Sequence, residues 1–414
     1  MSDSTPCGGD APSLSVAEAR QTLLDAMTPV AGREFVPIRS ALGRVLQQDI
    51  VAPFDVPAHD NSAMDGFAAR AADLSAEENR LDLVGTAYAG GAFSGLVGVG
   101  QAVRIMTGAV MPRGADTVVM QESARVEGQR VILPAVGKPG QNVRRAGEDL
   151  AAGRPALLAG RRVGPAELGL LASLGLAEVA VYRRPRIAFF STGDELASIG
   201  WPLAPGEVYD SNRYTLFGLL TQLGMEVLDM GVVRDDPLAL EQAFAEAAAH
   251  ADVIITTGGV SVGEADYVRD IMARLGEVHF WRIDIKPGRP MAFGRLGGAW
   301  LFGMPGNPVA VLVSFYQIVL DALHKLQGLA PLPIRPSFQV PCDSAIRKLP
   351  GRREFPRGFL YQADGLWRVR LSGNQGSGVL RSVTDANCFI CLPEDSGSLN
   401  VGDLVEVQPF EGLL

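Results

Sequence analysis

RIAFFSTGDEL (186–196), ADVIITTGGVSVGEADY (251–267), IKPGRP (285–290) and LFGMPGNP (301–308) decide the reading of this chain. Each is a short apolar run ending in a turn rich in glycine or proline. Helix-like segments lie between and after them: SNRYTLFGLLTQLG (211–224), PLALEQAFAEAAAH (237–250), EADYVRDIMARLG (264–276) and NPVAVLVSFYQIVLDALHKLQG (307–328). This alternation predicts parallel strands in a doubly wound α/β domain, and such sheets bind ligands at the carboxyl ends of their strands. Glycine lets backbone N–H groups approach an anion closely. Carboxylates suit Mg²⁺, and lysine suits phosphate or another oxyanion. One sheet edge is therefore equipped for a polyanionic ligand and a divalent metal.

Working outward, the texture changes on both sides. LSVAEARQTLLDAMTP (14–29) has helical spacing, with Ser15 as N-cap and Glu18 completing a capping box. PAELGLLASLGL (165–176) reads as a second helix with Pro165 in its first turn. Between these, LDLVGTAYAG, AVRIMTG, TVVMQE and RVILPAV are short alternating runs, the mark of an antiparallel β module. The expected organisation is a loose tail over 1–13, a discontinuous helical domain over 14–52 and 145–183, and an inserted β domain over 53–144. An α/β domain over 184–330 and a small C-terminal β-barrel or sandwich over 331–414 complete it.

The 414 residues are 47% hydrophobic and 20% charged, with a net charge of −9, which argues against a broad nucleic-acid interface. An anionic ligand remains compatible, because binding follows the local field. No run approaches 18 uninterrupted apolar residues, so no membrane span is expected. The start, MSDSTPCGGDAP, lacks the basic and apolar regions of a signal peptide. Four cysteines fit a reducing cytoplasm. Cys388 and Cys391 sit in an apolar strand, NCFICLP, where residues three apart face opposite ways, so buried thiols are expected rather than a zinc or redox pair. Four scattered histidines make histidine catalysis a poor fit.

Each motif has an ordinary reading beside the functional one. In TTGGVSVGEADY, Gly258, Gly259 and Gly263 permit close backbone approach, Ser261 can donate to an oxyanion, and Glu264 and Asp266 can bind Mg²⁺; a βα turn opening an acidic helix N-terminus would look the same. Asp194 and Glu195 in STGDE pose the same choice, and Asp210 in YDSNR reads first as a helix stabiliser. Lys286 and Arg289 flank Pro287-Gly288, where two cations repel unless an anion lies between them. MPGNP is a rigid turn with Asn307 as N-cap. HDNSAMDGFA (59–68), RIMTGAVMP (104–112), NVRRAGED (142–149), GRREFPRG (351–358) and NQGSG (374–378) are weak singly.

Together these runs resemble the MoeA/gephyrin E-domain family, the molybdopterin molybdenumtransferases, in the family's order and over residues 14 to 410. The resemblance implies molybdenum cofactor biosynthesis: molybdate is inserted into adenylylated molybdopterin, the pyrophosphate link is cleaved with Mg²⁺, and AMP is released. It implies catalytic roles for Asp65, Glu195, Asp235, Asp266 and Lys286, with Glu195, Asp235 and Asp266 holding Mg²⁺. It implies substrate-binding roles for Thr107, Arg144, Asp149, Gly258, Gly259, Ser261, Arg289, Pro290, Pro305, Pro308, Arg352 and Ser377. It further implies a homodimer whose cleft is shared between subunits, and contacts with the molybdopterin adenylyltransferase and with molybdoenzyme acceptors. The departures are KPGRP in place of KPGKP, Arg282 in place of lysine, and Asn374 in place of a histidine before QGS. A receptor-anchoring scaffold of this fold and the sister adenylylating activity are the competing readings. The retained acids oppose the first, and the domains beyond the α/β unit oppose the second.

Overall fold

The computed structural model describes residues 13–259, 271 and 274–411. Its centre is a seven-stranded sheet in the order Ser13–Leu14, Gly276–Ile283, Pro290–Leu296, Ala299–Met304, Val253–Thr257, Arg186–Thr192, Glu226–Val233. The last four run parallel. Strand Arg186–Thr192 shows why both faces are covered. Ile187 and Phe189 enter one apolar cluster and Ala188 and Phe190 the other, following the two-residue period of a strand. Helices Ser211–Gln222 and Pro308–Leu326 pack on the first face, and helix Pro237–His250 on the second. The sheet is mixed rather than wholly parallel. Strand Pro290–Leu296 runs antiparallel to both neighbours, because Gly297-Gly298, with Gly297 at φ 56°, folds it into a hairpin with Ala299–Met304.

Helix Val16–Ala26 begins with the expected capping box: Glu18 N–H donates to Ser15 Oγ at 3.1 Å, and Ser15 N–H donates to the Glu18 carboxylate at 2.8 Å. Its location differs from the sequence expectation. Val16, Ala19, Leu23 and Met27 are buried in the α/β core, and Ser13–Leu14 pairs with Gly276–Ile283 at the sheet edge. Residues 13–30 thus pack with the α/β domain, and Ser13 is a strand residue rather than part of a tail. The stripe of this helix specifies an apolar partner without specifying which one.

The remainder of the discontinuous unit is built mostly of short ladders, not helices. Arg33–Pro37 pairs with Glu178–Tyr182, Ile50–Val51 pairs with Pro155–Leu157, and a Val56–Leu150 bridge joins the two sequence pieces. Its one α-helix among the described residues, Pro165–Ser173, adds Leu171 to a small core with Leu46, Val163 and Val179. The inserted domain is a six-stranded sheet, antiparallel except where Asn79–Ala87 meets Gln101–Ile105. The C-terminal domain is a five-stranded antiparallel sheet whose ends approach through the Cys342–Val369 bridge, giving a barrel-like closure.

Cys388 faces the C-terminal core and Cys391 the α/β core, as their spacing requires, and burial pushes both thiols up to about 12. Helix Pro308–Leu326 is long and apolar enough to cross a membrane, yet 89% of it is buried inside the fold. A π-helical turn, Phe315–Val319, interrupts it where Arg20 donates twice to the Gln317 carbonyl, at 2.8 and 3.1 Å. It is the central core helix, and its N-terminal residue Pro308 reaches the site described next.

Candidate active site

The carboxyl ends of strands Arg186–Thr192, Val253–Thr257 and Ala299–Met304 open onto a cavity of about 1150 Å³. Residues Ala345–Arg347, Arg352, Glu354 and Gln375–Gly378 of the C-terminal domain form the opposite wall. The glycines of the floor are steric necessities. Gly258 has φ 90°, and a Cβ there would stand 2.5 Å from the Thr192 carbonyl oxygen. Gly288 has φ 107°, and a Cβ there would meet Ser314 Oγ at 2.7 Å. Pro305 and Pro308 bracket the entry to the core helix. Asn307 occupies the N-cap position but makes no side-chain cap bond, against the sequence expectation.

The basic turn also departs from expectation. Lys286 is not left facing Arg289 without a counter-ion: its Nζ lies 3.0 Å from Glu354 Oε2 across the domain boundary. Strand pairing of Lys286 with Glu354 enforces this contact. Glu354 is buried and 68 residues away in sequence, which is why the motif alone concealed it. Arg289, Arg347 and Arg352 are exposed side chains on the cavity lining. Arg357 serves the wall instead. It is 1% exposed, donates to Ser382 Oγ and to the Gly376 carbonyl, and burial lowers its guanidinium to about 10. Gln375 clamps the Arg357 backbone from both sides, and Val309 N–H donates to the Ser377 carbonyl at 3.1 Å. Asn374, the departure before QGS, closes a local turn by accepting from Gly376 N–H at 2.9 Å.

At one margin stand the acids. Glu195 lines the cavity, folded over Gly193. The Asp235 carboxyl is pushed above the usual range by burial first, then by the negative charges of Asp194 and Glu195. Among the described residues, no three acidic, histidine or cysteine side chains converge as a metal site. Asp266 and Ser261 lie outside the described residues.

Ten of the sequence-selected residues thus share one cavity: Glu195, Gly258, Gly259, Lys286, Arg289, Pro290, Pro305, Pro308, Arg352 and Ser377. Thr107, Arg144 and Asp149 do not join it. They line a separate cleft of about 610 Å³ between the inserted domain and the ladder unit. Asp65 belongs with them: Thr107 donates to it from N–H at 2.7 Å and from Oγ1 at 2.8 Å, which lowers its carboxyl. Sequence reasoning overlooked Asn212, Arg347 and Glu354, and read Asp210 first as a helix stabiliser. Asp210 does cap helix Ser211–Gln222, accepting from Arg213 N–H at 3.1 Å, but it also lines the cavity. The YDSNR run signalled both Asp210 and Asn212; nothing in AIRKLPG marked Arg347.

A doubly wound domain with a cation-lined strand edge, closed by a β wall, defines a protein that binds an anionic ligand. Family models agree: the probable molybdopterin binding domain matches residues 188–325, the MoeA N-terminal region (domains I and II) 14–175, and the MoeA C-terminal region (domain IV) 339–410. The chain belongs to the MoeA family. It is 42% identical to the molybdopterin molybdenumtransferase of Haemophilus influenzae, over 97% of this chain and all of that one. It is 40% identical to the enzyme of the same name from a Nostoc species, over 87% and 85% of the two chains. A crystal structure of the MoeA protein of Pyrococcus horikoshii superimposes with a TM-score of 0.83 at 30% identity, covering 96% of this chain and all of that one.

Proposed function

We propose that this transferase inserts molybdenum from molybdate into adenylylated molybdopterin, breaking the pyrophosphate link and releasing AMP. The observation that carries the reading is the large cavity lined by Lys286, Arg289, Arg347 and Arg352 together with Glu195. Four cations suit a ligand bearing a pyrophosphate together with an oxyanion substrate. Lys286, oriented by Glu354, presents a fixed charge, while the arginine forks can hold phosphate or molybdate oxygens in pairs. The Pro305 and Pro308 turn and the clamped 374–378 loop keep the two walls at a set separation, so binding energy orients the reacting groups. In the reaction an oxygen nucleophile bonds to one phosphorus as that atom's bond to the bridging oxygen breaks. AMP leaves with its charge met by the arginines, and molybdopterin keeps its monophosphate. Molybdenum bonds to the two dithiolene sulfurs as their protons and one molybdate oxygen leave as water.

Mg²⁺ fits the acid margin on the chemistry of its donors. Asp235 carries an excess of negative charge from Asp194 and Glu195, a hard-oxygen environment that favours a small divalent cation. Glu195 and Asp235, together with Asp266, would hold it, and the ion would supply charge neutralisation on the pyrophosphate. The separate Thr107–Arg144–Asp149 cleft supports a homodimer in which Asp65 and its neighbours complete the partner's cavity. Contacts with an adenylyltransferase and molybdoenzyme acceptors, and a cytoplasmic site of action, belong to the same proposal. The test is to mix the protein with adenylylated molybdopterin, Mg²⁺ and molybdate. AMP release together with active cofactor is expected; ATP consumption with unadenylylated molybdopterin, and no AMP release, would point to the adenylylating reaction instead.

A further inference from the structure

Two buried side chains on the cavity lining carry polar atoms without a partner. Among the described residues the buried side-chain atoms of this kind are Thr192 Oγ1, Asp210 Oδ2, Asn212 Oδ1, Thr256 Oγ1, Ser314 Oγ, His324 Nδ1 and an Arg335 nitrogen. The first four lie at the carboxyl ends of the central strands or at the start of the adjoining helix. Two of them differ in kind from the rest. A hydroxyl can rotate to suit a neighbour, but a carboxylate oxygen and an amide oxygen only accept. Asp210 is 3% exposed and Asn212 9% exposed, and both line the cavity. Their other atoms are committed. Asp210 Oδ1 caps the helix, and Asn212 Nδ2 donates to the Gly306 carbonyl at 2.7 Å, which fixes the amide with Oδ1 as the free end. Burying two acceptors without donors is costly, so the site is complementary to a ligand edge that brings donors.

The substrate of the proposed reaction offers two heterocycles with different edges. A pterin presents its 2-amino group beside the ring N3–H, two donors side by side. Adenine presents its amino group beside ring nitrogens that accept, and these would face the carboxylate with like polarity. We propose that Asp210 and Asn212 recognise the amino–imino edge of the pterin, an assignment that rests on the function proposed above. The pair then sets which end of the substrate enters the α/β crevice and leaves the cationic wall to the phosphates.

Asp210→Asn tests this assignment, because asparagine also caps helices while placing an N–H₂ group where an acceptor is needed. Asp210→Ser is the companion, retaining a cap and removing the second oxygen, with a hydroxyl that can rotate to accept where an amide N–H₂ cannot. Binding of molybdopterin and, separately, of AMP is measured by fluorescence titration, with melting temperature as the control of fold. Molybdopterin affinity is expected to fall about tenfold or more in Asp210→Asn and less in Asp210→Ser, with AMP affinity unchanged. Unaltered molybdopterin affinity in folded Asp210→Asn would overturn the assignment and leave the two oxygens to bound water. An equal loss for AMP, or unfolding of both variants, would overturn it too, by making Asp210 a structural group. Failure of the unmodified protein to bind molybdopterin would instead overturn the functional reading beneath it.

Discussion

The two clefts of this molecule use charge in opposite ways. Beside the small cleft two neighbouring acids are paired: Asp65 accepts two bonds from Thr107, which lines the cleft, and Asp60, next to the lining Asn61, meets Arg145 at 2.6 Å. In the large cavity the polar groups are left with work to do. Asp210 and Asn212 have free acceptors, three arginines line the wall exposed, and at the margin Glu195 stands beside Asp235, itself crowded by two carboxylates. Satisfied groups describe a shaped surface; unsatisfied ones describe a missing ligand. The large cavity is therefore where a charged ligand finds unmet partners, and under the homodimer proposed above the small cleft is a preformed edge that completes the partner's cavity.

The sharpest way to break this contrast is Glu195→Gln, which keeps volume and removes charge at the acid margin. AMP release should fall about 100-fold while the melting temperature stays within a degree or so, because the side chain lies at the cavity rather than in the core. Turnover close to normal would make the margin an ordinary acidic helix start. The next effect is smaller and tests the division of labour between clefts. Inactive Asp65→Asn chains mixed with inactive Glu195→Gln chains should recover about a quarter of the sites, if subunits exchange randomly and each site draws one acid from each chain. A fully active monomer, by sedimentation and assay at the same concentration, would assign both clefts to one chain.

Lys286→Ala sharpens the comparison at the boundary of the cavity. The sequence suggested that removing one of two crowded cations would leave stability unchanged or improve it. The Glu354 partner reverses that sign: the variant strands a buried carboxylate. Because Lys286 is half exposed, the loss should be only about 1 kcal/mol, read as a lower midpoint in urea. The molybdate concentration for half-maximal AMP release should rise together with it. A higher midpoint would restore the repulsive reading.

Such reversals mark where the sequence stops being legible. The doubly wound half was readable because RIAFF and DVIITT are continuous apolar runs closed by glycine, a pattern that strands buried on both faces require. The capping box of the first helix was equally plain, since its three-residue spacing is local. What local patterns do not carry is the choice of partner. Helix Val16–Ala26 could not announce that it packs on the α/β core, nor Lys286 that it meets Glu354. The ladder unit was misread as helical because two good helix signals flank strands only two to five residues long. Asp210 was legible as a cap, but its second oxygen becomes informative only when the surrounding structure is seen to leave it without a donor.

The smallest expected effect concerns pH and the ligand-free protein. The folded Asp235 carboxyl titrates above its unfolded value of 3.8, owing to burial and then to Asp194 and Glu195. Between those two values the folded chain binds more protons than the unfolded one, so stability must fall as pH rises through that window and then level off. This is opposite in sign to Asp65, whose carboxyl is lowered by Thr107 and whose contribution is lost as pH falls. Asp235→Asn should remove the acid-side gain and slightly raise the melting temperature at neutral pH. Added Mg²⁺ should raise the melting temperature of the unmodified protein at neutral pH, do so less at the low end of the window, and barely affect the variant. If the unmodified protein shows no Mg²⁺ shift while Asp235→Asn still flattens the pH profile, the crowding of the acids is real but serves no cation. The contrast between the clefts would then rest on the arginines and on Asp210 alone.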